Sequence, residues 1–125
     1  MKIISVLIII ILSTILSTSA SAQNNLDLIN QNVCTRFDGD VSRLAAIMDQ
    51  LKDRKGITET RVAFGGSDTP IKSADYWVNF AAEAIAFQRV QKYSSKNELR
   101  YSLEGLKNKL LQAKTGVRQA LEYAQ

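Results

Sequence analysis

From Leu99 onward, apolar residues recur at Leu103, Leu106, Leu110, Ala113, Val117, Ala120 and Ala124, in unbroken steps of four and three. That period gathers side chains on one face of an α-helix and would scatter them over both faces of a strand. The segment therefore commits to helix. Its start is signalled by Ser95-Lys96-Asn97-Glu98, a capping box in which hydroxyl and carboxylate satisfy free backbone N–H groups. Arg100 with Glu104, and Arg118 with Glu122, stand at i,i+4 on the outer surface. The predicted helix spans 96–123. Its seam thins from leucine to alanine, so a partner must approach closely there or bring bulk.

Two earlier segments carry the same period. Over 26–54, Cys34, Phe37, Val41, Leu44, Met48 and Leu51 form the stripe, and Leu26, Ile29, Val33 and Ile47 widen it toward the face expected in a bundle. Gly39, between Asp38 and Asp40, is its weak point and a candidate bend. Lys52, Arg54 and Lys55 suit the negative end of the helix dipole, with Gly56 a natural terminator. Over 70–93, Thr69-Pro70 suits an N-cap followed by proline at the first helical position. Trp77, Phe80, Ala84 and Phe87 continue the spacing, with Tyr76, Ala81 and Val90 beside it, and Trp77 is expected to fill the alanine-rich end of the third helix. The short link Tyr93-Ser94-Ser95 implies opposite directions for the helices it joins. The fold class is all-α: an antiparallel three-helix bundle with coiled-coil-like packing.

The amino terminus reads differently. Lys2 precedes an apolar run over 3–16, interrupted only by Ser5, Ser13 and Thr14, and Ala20-Ser21-Ala22 fits the small-x-small pattern of signal peptidase. Residues 1–22 are predicted to be a cleaved Sec-type signal peptide, and 23–125 a single helical-bundle domain. The alternative is an uncleaved anchor. Gln23 in place of cysteine gives no lipoprotein signal. The expected location is outside the cell or in the periplasm or envelope, with no membrane span after cleavage.

Composition narrows the chemistry. Removing the leader takes Lys2 and no acidic residue, which leaves 15 basic residues against 12 acidic ones, too mild a balance for a nucleic-acid partner. Cys34 is the only cysteine, so no intramolecular disulfide forms, and its place on the helical stripe predicts a buried thiol. With no histidine, imidazole triads and histidine metal sites are excluded.

No motif assigns a catalytic, cofactor or metal site. Asp38-Gly39-Asp40 lacks the other ligands of a calcium loop, and Gly65-Gly66-Ser67 lacks the lysine of a phosphate loop. The connection over 57–68 exceeds the two to eight residues usual between helices. It carries Arg61 and Phe64, types enriched at binding hot spots, and Tyr76 and Trp77 follow within two turns of the next helix start. These four are the candidate partner-binding residues, unless Ile57, Val62 and Phe64 simply plug the bundle's end. The expected role is non-enzymatic: structural, scaffolding or chaperone-like, with a protein partner or self-association. The alternative is a small helical enzyme or ligand-binding protein using Arg61, Glu59 or Glu83.

Overall fold

The computed structural model describes residues 2–55 and 69–125, with side chains from Ala22 onward. They form three helices: α1 (Lys2–Arg54), α2 (Pro70–Arg89) and α3 (Lys96–Ala124). Each packs against the other two, giving a three-helix bundle with no strand among the described residues. No helix among them is long and apolar enough to cross a membrane.

The helix starts follow local chemistry. The Thr69 hydroxyl accepts the Lys72 N–H at 3.4 Å, with Pro70 next to it. Before α3, the Ser95 Oγ accepts the Glu98 N–H at 3.2 Å. Glu98 reaches one residue further back than a capping box requires. It accepts the Ser94 N–H at 3.3 Å and the Ser94 hydroxyl at 2.7 Å. Of the two expected surface pairs on α3, Arg100–Glu104 closes at 3.5 Å and Arg118–Glu122 does not close within 4 Å. Both lie in water, where such a pair gains little.

The seam of α3 lies where its spacing puts it. Leu99, Leu106, Leu110, Ala113, Val117 and Ala120 are buried, and Leu103 and Ala124 are partly so. On α1, Cys34, Val41, Leu44, Met48 and Leu51 are buried and Phe37 packs against them, but Ile29 and Ile47 reach solvent. Gly39 lies within α1 without interrupting it, and a Cβ there meets nothing within 4 Å. Gly39→Ala should therefore raise stability by about 0.5–1 kcal/mol, the backbone entropy that glycine loses in a helix. Urea unfolding measures this directly.

The second helix departs from expectation in its face and its end. Its buried residues are Asp75 and Ile71, Ala74, Val78, Ala81, Ile85 and Gln88, the last six a three-four stripe one residue out of step with the expected Trp77, Phe80, Ala84 and Phe87. The reason is girth. A helix wedged between two others must present slim residues where backbones meet, and Ala74 Cα lies 3.4 Å from where a Cβ on Gly116 would stand. The aromatics move to the flank. Trp77 and Phe80 pack there edge to face at 5.7 Å, while Phe87 is left 68% exposed and Val90 71%. Trp77 still reaches the small-residue end of α3, with Cδ1 3.7 Å from the same Gly116 position.

The helix also stops at Arg89 and does not run on to Tyr93. The Val90 and Gln91 N–H groups reach back only three residues, to Phe87 and Gln88. Side chains of α1 take terminal carbonyls of α2: Asn30 Nδ2 donates to Gln88 O at 2.9 Å, and Gln31 Nε2 to Arg89 O at 2.7 Å.

Candidate binding groove

The site begins with what fixes the helices at one end. Asn30 and Gln88 are buried polar residues from α1 and α2, and Gln88 Nε2 donates to Asn30 Oδ1 at 2.9 Å. The same Nε2 donates to Tyr93 Oη at 2.7 Å, and Ser102 Oγ donates to Gln88 Oε1 at 2.8 Å. Tyr93 and Ser102 oxygens lie 2.7 Å apart. Each hydroxyl has one proton, so with the serine proton spent on Gln88 the tyrosine donates to serine, and a ring of three hydrogen bonds closes. This clasp joins all three helices with its polar groups satisfied. Outside it, Arg89 reaches Asp38 at 3.3 Å and Lys92 reaches Asp27 at 2.8 Å. The hydrogen bond from Lys92 holds the Asp27 carboxyl below its usual range, against partial desolvation and with help from Gln23. At the far end Lys52 stands 3.2 Å from Asp75 Oδ2, a sealed oxygen that gains no well-directed hydrogen bond among the described residues.

Cys34 lies one turn after Asn30, fully buried, its Sγ 3.9 Å from Asn30 Oδ1. Burial pushes its thiol pKa up; Arg89 opposes the shift and Asp38 adds to it. Because the unfolded thiol ionises first, stability should fall as pH rises above about 9. A maleimide reagent should label Cys34 slowly in the native protein and rapidly in denaturant. Fast native labelling would contradict the burial.

On the other flank of α1 the bundle does not close. Leu26, Ile29, Val33 and Phe37 face Leu99 and Leu103 of α3 across a groove of about 550 Å³. At 1.5 Å per residue the α1 side runs about 16 Å. Its rim is charged. Lys96, Arg100 and Lys107 stand along α3 with Glu104 as the one carboxylate among the lining residues. Arg100 pairs with Glu104, whereas Lys96 and Lys107 have no ion-pair partner among the described residues. The widened α1 stripe carried the signal for this groove: Leu26, Ile29 and Val33 supply more apolar surface than one seam consumes.

A second depression, of about 600 Å³, runs between α2 and α3. Exposed Phe87 and Tyr101 flank it, but Glu83, Gln88, Ser102 and Lys109 break its lining with polar groups, and two of these serve the clasp.

The four residues singled out from sequence fare unequally. Arg61 and Phe64, like Glu59, lie outside the described residues. Tyr76 and Trp77 are half-buried in an aromatic cluster, with ring centroids 5.0 Å apart, at the end of the bundle away from the clasp. Glu83 is exposed, so it is not a carboxylate sunk in an alanine-rich pocket. Asp38 and Asp40 are engaged by Arg89, Arg43 and Lys114, and no group of three metal-ligating side chains converges among the described residues. Comparison with protein-family models, with curated proteins and with solved structures gave no match.

Proposed function

We propose that this chain is an exported, non-enzymatic binding module whose binding surface is the α1–α3 groove. Residues 1–22 act as a leader cleaved after Ala22, and 23–125 form an antiparallel bundle with coiled-coil-like packing, at work in the cell envelope or outside it. The open apolar groove carries the reading: its floor is ready to take up an apolar group without unfolding anything. The helix directions are supported by contacts that pair Asn30 with Gln88 and Lys52 with Asp75. Processing after Ala22 is supported by the small-x-small pattern Ala20-Ser21-Ala22.

Two measurements test this. The intact mass of the exported protein should begin at Gln23; Met1 retained on a membrane-bound form would make the leader an anchor. Nile red, a neutral apolar dye, should brighten on the folded protein and lose that response in a Val33→Gln, Leu103→Gln variant that still melts cooperatively. A response absent from the native protein, or unchanged in the variant, would remove the groove as the binding surface.

A further inference from the structure

We infer that the groove takes a single-chain anionic amphiphile, one acyl tail ending in a carboxylate or sulfate; this rests on the groove being the binding surface. Shape and charge point the same way. The groove runs about three helical turns, and its 550 Å³ lies within the range of small-molecule sites, about 300–1,000 Å³. Its floor of Leu26, Ile29, Val33, Phe37, Leu99 and Leu103 offers no polar group to an extended peptide backbone, whereas an acyl chain asks for none.

The rim then selects the head. Lys96, Asn97 and Arg100 stand together where Leu26 and Leu99 close one end. Lys96 has no ion-pair partner among the described residues, and the exposed Arg100–Glu104 pair is weak enough to admit a second carboxylate. The tail runs along Ile29, Val33 and Leu103 toward Phe37. There Lys107 lines the groove and is exposed to water. Glu104 interrupts this edge and Lys114 beyond it is held by Asp40 at 3.6 Å, so the cations left to a ligand are Lys96 and Arg100 at one end and Lys107 at the other.

The test is titration calorimetry of the purified protein with laurate, 1-dodecanol and dodecyltrimethylammonium, each below its micelle threshold, at low and high salt. Laurate should bind about tenfold more tightly than the cationic analogue at low salt, and 1 M salt should narrow the gap. Lys96→Gln, Arg100→Gln should lose about tenfold in laurate affinity while keeping its dodecanol affinity. Equal affinity for all three heads would overturn the proposal and leave the groove a neutral apolar site. Uptake by phosphatidylglycerol vesicles without uptake of monomeric laurate would overturn it too, making this face a membrane contact. If no chain binds and Nile red is also refused, the reading of the groove itself fails.

Discussion

Leu106→Ala should destabilise the protein by about 2–5 kcal/mol, the cost of lost transfer energy plus the cavity left behind. Leu106 is 4% exposed and sits mid-seam on α3, within the cluster that joins all three helices. In a domain of this size the change lowers the melting temperature by at least about 8 °C. Lys107, the next residue, points to the groove rim and is exposed, so Lys107→Ala should stay within about 0.5 kcal/mol. Thermal unfolding of the two variants side by side checks the face assignment. Equal losses would mean that the core does not lie where α3 places it.

The second large effect is expected at the clasp. Asn30→Leu takes away the donor to the Gln88 carbonyl and the acceptor of one Gln88 amide proton, both in a buried site. Each buried group left without a partner costs about 1–3 kcal/mol, so the single variant should lose roughly 2–6 kcal/mol. Gln88→Leu strands Asn30 Oδ1 and opens the ring through Tyr93 and Ser102. Replacing both removes much of what each single variant leaves unsatisfied. The double variant should thus lose clearly less than the sum of the singles, a coupling above about 0.5 kcal/mol in a double-mutant cycle. Strict additivity would show that the clasp contributes no mutual stabilisation.

The contrast between these two sites explains what could be read in advance. The α3 seam was legible because Leu99 to Ala124 offers one apolar stripe and polar residues elsewhere, so period alone fixes its face. In α2, two complete three-four stripes lie one residue apart, Ile71-Ala74-Val78-Ala81-Ile85 and Trp77-Phe80-Ala84-Phe87. Side-chain bulk favours the aromatic one. The choice falls to the slimmer one because α2 meets α3 at close range, Ala74 against Gly116, and that requirement is three-dimensional. The clasp was hidden for a related reason. Asn30, Gln88, Tyr93 and Ser102 each look like surface residues, and only their convergence makes them interior. It also ends α2 early, because side chains 58 residues away accept the role of completing its last turn. The groove lay halfway between: its apolar residues were visible in the widened stripe of α1, but the stripe gave no sign that α3 would leave them uncovered.

Methyl-resolved NMR of the protein titrated with laurate tests the central claim most directly. If the α1–α3 groove is the binding surface, methyl signals of Ile29, Val33, Leu99 and Leu103 should move together with one affinity, while those of Val78 and Ile85, sealed in the core, stay in place. Shifts centred on Ala84 and Leu106, beside the Phe87–Tyr101 depression, or no shifts at all, would contradict it.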